Sequence, residues 1–243
     1  MAKGKLIVVE GPDGAGKTTL CNKLSDAIVL KANLKSIVYS LPNKQSFGYR
    51  KMRDLLTKVN TPTDLLQSIM IVNTKELLVN QVKDALENNI NVILDRWLIS
   101  TIIYNDLNNG KMIEEMVTKN GDRNELVLDR ISSEFCNIPL YPDVIIFLDI
   151  PKEILINHAK NRNSKEINDR IENVDKIYNL YQSFQNASLN STKKFDSKYF
   201  IKEQINKSTH FIITPDKSID INDEKKIYED VEKQLYDRVK FII

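Results

Sequence analysis

Glycine is scarce in this chain, with seven residues in 243, yet Gly11, Gly14 and Gly16 fall within six positions of one another. So uneven a use of the one residue without a Cβ calls for a local backbone reason. Cysteine is scarcer still. Cys21 and Cys136 make neither a disulfide framework nor a metal-binding spacing, so both read as packing residues and a reducing compartment is expected. Lysine and arginine number 35 against 33 acids, interleaved along the chain, for a net charge of +2. This balance lacks the basic patch or stripe of a duplex-binding protein, and no nucleic-acid partner is expected. No apolar run approaches the length of a membrane span, and the amino terminus leads directly into a strand pattern without a signal peptide. A cytoplasmic protein with no membrane partner is therefore expected. There is no internal repeat. With 42% apolar and 28% charged residues and no compositional shift, the chain 1–243 is expected to form a single domain with insertions.

The glycines belong to the stretch Glu10-Gly-Pro-Asp-Gly-Ala-Gly-Lys-Thr-Thr-Leu20. A loop that wraps a polyphosphate must bring its own N–H groups against anionic oxygens, which favours positive φ and the absence of a Cβ. Gly11, Gly16, Lys17 and Thr18 fit G-x-x-x-x-G-K-[ST], with Lys17 reaching the β/γ-phosphates and the Thr18 hydroxyl left for magnesium. The context agrees. Lys5 to Glu10 is a short apolar run suited to a buried parallel strand, and Leu20, Leu24, Ala27 and Ile28 recur at helical spacing after the loop. Backbone groups of Gly14, Ala15, Gly16 and Thr19 would then face the phosphates at a helix N-terminus.

Four further runs read as strands: Ser36–Ser40, Asn91–Leu94, Asp143–Asp149 and His210–Thr214. Helical patterns separate them. One spans Asp64 to Asn88, and another, Asp223 to Phe241, places Ile227, Val231, Leu235 and Val239 at steps of four. The alternation predicts an α/β fold of the P-loop NTPase type, three layers with a parallel five-stranded sheet and helices on both faces, where ligands gather at the carboxyl ends of strands. Two polar regions, about 108–137 and 186–208, read as insertions.

After the third strand comes Asp95-Arg96-Trp97-Leu-Ile-Ser100-Thr-Ile-Ile-Tyr104-Asn105. A guanidinium at that strand end can clamp a second phosphate, and a carboxylate there can hold a magnesium-bound water. On these two residues alone a surface ion pair is the simpler reading. Taken with Asp13, the D-R-[YW]-x-x-S-x-x-x-Y pattern and Pro142-Asp143 leading a strand that ends Leu148-Asp149, however, the sequence resembles the thymidylate kinase family. Thr214-Pro-Asp216-Lys217-Ser-Ile219 is similar to that family's adenine loop, and Asn168-Asp-Arg170-Ile-Glu172 to its lid, about 159–172. The matches run in family order from Leu6 to about Val231.

The resemblance implies transfer of a phosphoryl group from ATP to dTMP, with Mg²⁺ held through Thr18 and Asp95. It implies that Asp13 approaches the acceptor's sugar and Arg96 its phosphate. Trp97 would join the acceptor site, Ser100 and Asn105 would lie near the base, and Tyr104 would pack beneath the sugar. Asp216 and Lys217 would meet the adenine. A homodimer is implied as well. One branch of the family carries an arginine in the phosphate loop. This loop has none, so Arg170, more than Arg162, is expected to supply the missing charge from the lid. Two departures fall at base recognition: Lys75 stands where the family usually has an arginine, and Ile71 where it has an aromatic residue. Lysine lacks the fixed fork of arginine, so relaxed discrimination among deoxynucleotides is expected. After the second strand, Lys44 and Arg50 both remain candidates for the acceptor phosphate. Other classes stay in view: a deoxynucleoside kinase, or a nucleotide-binding switch or nucleic-acid-associated ATPase. No N-K-x-D guanine signature supports the switch, and no basic groove supports the motor.

Overall fold

Five runs rich in Val, Ile and Leu, each five residues long, form the strands β1 (Leu6–Glu10), β2 (Ser36–Ser40), β3 (Asn91–Asp95), β4 (Val144–Leu148) and β5 (Thr209–Ile213). The computed structural model describes residues 3–43, 46–47, 49–50, 72–100, 103–104, 140–161, 171–190 and 208–243. All pairings are parallel, in the order β2-β3-β1-β4-β5. The three central strands are buried along their whole length, which explains why their sequences are continuously apolar instead of alternating.

Successive side chains of a strand point to opposite faces, so each face acquires its own core. Leu6, Val8, Val92, Leu94, Ile145 and Phe147 face one side, where Leu77, Leu78, Val82 and Leu86 cover them. Those four lie on helix α2, described from residue 72 through a π-helical turn at Leu78–Val82 into Lys83–Glu87. Its end at Asn88–Asn89 matches the sequence expectation, with Asn89 at φ 58 making the exit. Residues 64–71 of the expected helix lie outside the described residues. Ile7, Val9, Ile93, Val144, Ile146 and Leu148 face the other side. There they meet α1 (Lys17–Ala32), α3 (Lys152–Asn161) and α5 (Glu224–Val239). On α5 the four residues expected at steps of four are all buried, and the Asp223 carboxylate caps the helix by accepting from the Lys226 N–H at 3.2 Å. Cys21 is buried in the core on this side of the sheet, as a packing residue should be.

Helix α4 (Ile171–Asn190) runs five residues into the region expected as an insertion from Asn186. Asn and Ser compete with the helix backbone for hydrogen bonds, so this helix end reads as a loop in the sequence. The rest of that segment up to residue 207, the whole of 108–137 and Cys136 lie outside the described residues. Among the described residues no helix is long and apolar enough to cross a membrane.

Register fixes what meets at the functional edge. Val9 pairs with Asp95 and Glu10 with Phe147, so the carboxyl ends of β3, β1 and β4 lie side by side. The phosphate loop, the turn at Arg96 and Asp149 all emerge from that edge.

Candidate active site

Between β1 and α1 the chain turns through Gly11, Gly14 and Gly16 at φ 154, 87 and 74. At Gly16 a Cβ would stand 2.6 Å from the ring of Tyr228, so this position needs glycine for space as well as for conformation. Gly16 precedes α1, which has neither a side-chain cap nor an acid in its first turn. The helix N–H groups are thus left to an anion, with no carboxylate competing for them. Thr18 and Thr19 are exposed in that turn.

Lys17 is 5% exposed, and its ammonium donates to the Pro12 carbonyl at 2.6 Å. Burial, reinforced by the nearby charge of Arg96 and opposed by Asp13, Asp95 and Glu10, lowers its pKa to about 8. A bound polyphosphate would reverse that trend by supplying the counter-charge. The Thr18 hydroxyl donates to Asp95 Oδ2, while Asp95 Oδ1 is buried without a hydrogen-bond partner among the described residues. An orphaned buried acceptor costs about 1–3 kcal/mol and marks a place built for an electron-poor partner. Among the described residues no group of three His, Cys, Asp or Glu is gathered for a metal.

Arg96 adopts φ 80, a left-handed backbone that a non-glycine residue keeps only when its surroundings enforce it. They do so from several directions. Its N–H donates to the Val9 carbonyl at 3.0 Å. Nη1 donates to Ser100 Oγ at 3.1 Å, Tyr181 Oη at 3.3 Å and the Gly11 carbonyl at 3.4 Å, while Nη2 pairs with Asp13. Tyr104 completes the group: its hydroxyl donates to the second Asp13 oxygen, and its ring lies 5.1 Å from the guanidinium carbon. Burial first, then the Asp13 charge, pushes the Tyr104 phenol well above its ordinary range, so it serves as a donor.

Beneath this group lies a carboxylate that sequence reasoning passed over. Glu10 is fully buried and accepts from the Trp97 N–H at 2.7 Å, the Ser100 N–H at 3.1 Å, the Ser100 hydroxyl and the Tyr181 hydroxyl at 3.2 Å. Burial raises its pKa, while the Ser100 hydroxyl, the Arg96 charge and the Trp97 and Ser100 N–H groups oppose the rise. Two of the donors are backbone N–H groups at the start of the helical residues 98–100, so Glu10 caps that turn and sets where Arg96 leaves the strand. Tyr181 on α4 sends its hydroxyl into the same network. The signal available in the sequence was an acid ending an otherwise apolar buried strand, since such a group must find donors.

The structure therefore gathers Gly11, Asp13, Lys17, Thr18, Asp95, Arg96, Ser100 and Tyr104. It treats others differently. Trp97, expected at the acceptor, is 2% exposed with its side chain in the core, because the turn that presents Arg96 directs the next residue inward. Lys75 is half-buried on α2. Asp216 and Lys217 are exposed and line a separate cavity of 310 Å³ with Asp149, Thr214, Ile219 and Ile227. Arg50 is exposed; Lys44, Ile71, Asn105, Arg162 and Arg170 lie outside the described residues.

A glycine loop and lysine after the central strand, joined to a threonine–aspartate pair and a buried arginine at the neighbouring strand end, define a P-loop phosphotransferase. A thymidylate kinase family model matches residues 9–209. The chain is 31% identical to a thymidylate kinase of Buchnera aphidicola subsp. Baizongia pistaciae, over 79% of this chain and 84% of that protein. It is 34% identical to one of Prochlorococcus marinus, over 70% and 76%. The solved thymidylate kinase of Candida albicans superposes with a TM-score of 0.61 at 20% identity, covering 99% of this chain and 93% of the other. This chain belongs to the thymidylate kinase family, and so to the ATP-dependent nucleoside monophosphate kinases.

Proposed function

We propose that the chain catalyses transfer of the γ-phosphoryl group of ATP to dTMP, giving dTDP and ADP. A phosphate oxygen of dTMP forms a bond to Pγ as the bond from Pγ to the β–γ bridging oxygen breaks. The observation that carries this reading is the bridge from Asp13 in the phosphate loop to Arg96 and Tyr104 beyond β3, which links a donor cradle to an acceptor platform. Such a transfer asks the protein for positioning and charge neutralisation, not covalent chemistry.

Lys17 neutralises charge on the β/γ-phosphates, leaving the Pro12 carbonyl as ATP enters. Arg96 exchanges part of its Asp13 pairing for the acceptor phosphate, and the released Asp13 carboxylate accepts from the sugar 3′-hydroxyl. Tyr104 stays beneath the sugar. Mg²⁺ fits the donors present: the Thr18 hydroxyl and the Asp95 carboxylate, whose second oxygen lacks a partner, would hold it, and when bound it supplies further neutralisation of the phosphates. The cavity beside Thr214 to Ile219 receives the adenine. Arg170 closes from the lid, and Lys75 donates to the base with less selectivity than an arginine fork would give. Broad substrate specificity is named for the Candida albicans structure, and the departures at Lys75 and Ile71 favour a relaxed range here too. The remainder of the reading is a single kinase domain in a cytoplasmic homodimer.

A coupled ADP-release assay across dTMP, dUMP, other deoxynucleoside monophosphates and thymidine tests it, with Lys17→Ala as control. Turnover with dTMP and measurable turnover with dUMP are expected. Turnover with thymidine instead would move the chain to the deoxynucleoside kinases, and strict dTMP use would remove the relaxed range.

A further inference from the structure

The outward side of the phosphate loop is held by two residues that play no part in the site described above. His158 on α3 places Nδ1 2.8 Å from the Gly14 carbonyl, and Tyr228 on α5 donates its hydroxyl to the same oxygen at 3.1 Å. The other ring nitrogen of His158 lies 2.7 Å from Glu224 Oε1, also on α5. A carbonyl can only accept, so Nδ1 carries the hydrogen that faces Gly14, while Nε2 faces the Glu224 carboxylate. The two rings are nearly parallel, at 10° with centroids 6.4 Å apart. Both pack closely on the loop: a Cβ at Gly14 would meet His158 Cβ at 3.3 Å, and one at Gly16 would meet Tyr228 at 2.6 Å.

A trans peptide is planar, so fixing the Gly14 carbonyl also fixes the following N–H, which points the opposite way. That N–H, of Ala15, turns inward to the Pro12 carbonyl over a long 3.3 Å, and the Lys17 ammonium engages the same carbonyl at 2.6 Å. It is thus aimed into the cradle while only weakly committed. We propose that His158 and Tyr228 are positioning residues for the ATP side of the reaction, clamping the Gly14 carbonyl outward so that the Ala15 N–H stays presented to a phosphate oxygen. Helices from two distant parts of the chain then act through one peptide plane. Without the clamp, the glycine at φ 87 has the freedom to rotate that peptide and withdraw the donor. The inference rests on the reading that this loop carries the phosphates of ATP.

Steady-state kinetics and thermal melting of the full chain test it. His158→Leu should raise the KM for ATP about tenfold, the scale of one lost hydrogen bond, while the KM for dTMP stays within about twofold. His158→Asn keeps a donor at the Nδ1 position and should restore most of the ATP KM; His158→Gln, whose amide reaches only toward Glu224, should not. Tyr228→Phe keeps the ring packing and should raise the ATP KM about threefold with an unchanged melting temperature. If His158→Leu does not fold, Tyr228→Phe and the contrast between the Asn and Gln variants decide. An unchanged ATP KM in Tyr228→Phe, an equal rise in both KM values, or no advantage of Asn over Gln would overturn the clamp. Lys17→Ala separates the two levels. If it binds ATP as the unsubstituted chain does, the reading of the loop fails and the clamp with it; if it loses ATP while His158→Leu and Tyr228→Phe keep it, only the clamp fails.

Discussion

The phosphate loop and the arginine turn meet through Asp13 and Arg96, yet they are built in opposite ways. The loop is a local object: one continuous stretch, Gly11 to Thr18, carries its glycines, its lysine and its hydroxyl. The turn is a tertiary object. Arg96 is oriented by Glu10 and Gly11 from β1 and its loop, Ser100 and Tyr104 from its own segment, and Tyr181 from α4. A local motif tolerates change elsewhere in the chain, whereas a network fails when any distant member is removed. The donor side should therefore break chiefly at its own residues and, more mildly, at the His158 and Tyr228 contacts on Gly14, and the acceptor side from several distant places.

The largest expected effect is at the loop. Lys17→Ala should lower kcat/KM by about 10³-fold, because a preorganised cation at the developing charge is lost, and single-turnover phosphoryl transfer measures it. Next comes Arg96→Lys. It keeps the charge but loses the fork that bridges Asp13, Ser100 and Tyr181, so kcat/KM for dTMP should fall about 10²-fold in a titration of the acceptor. Glu10→Gln breaks the network from below, since an amide that keeps its oxygen on the Trp97 and Ser100 N–H groups must turn its NH2 toward the Ser100 and Tyr181 hydroxyls, which now donate to the carboxylate. A rise of about tenfold in the dTMP KM, with an ATP KM little changed, is expected in steady-state assays. Equal loss on both sides would reduce Glu10 to a folding role.

The smallest effect is one of pH. Lys17 titrates near pH 8 in the folded chain instead of its ordinary 10.5, so its charge is lost first in the folded state. Raising the pH through about 8 should raise the ATP KM severalfold, and Lys17→Ala should lack that inflection. The sign for stability follows from the same shift. Between those two values the unfolded chain binds more protons, so stability gained at Lys17 should grow with pH across that window, as denaturation of both forms would register.

The same contrast explains what could be read in advance. The five strands, the helix spacing of α5 and the loop were legible because each depends on neighbours in sequence: a period, a cap, a run of glycines. Arg96, Asp13 and Tyr104 became meaningful only through their resemblance to an ordered family pattern, since adjacent opposite charges usually end as a surface pair. Glu10 and Tyr181 were missed because their roles are set by what lies across the sheet edge, 171 residues apart in the chain. Trp97 shows the converse. The family resemblance put it at the acceptor beside Arg96, but a turn sends neighbouring side chains in different directions, and its indole lies in the core.

The division of labour between the two regions is open to one direct measurement: calorimetric binding of dTMP and of a non-hydrolysable ATP analogue to Lys17→Ala and to Arg96→Lys. Lys17→Ala should lose the ATP analogue and retain dTMP, and Arg96→Lys should lose dTMP and retain the ATP analogue. Loss of both ligands in either variant, or the crossed pattern, would contradict the account.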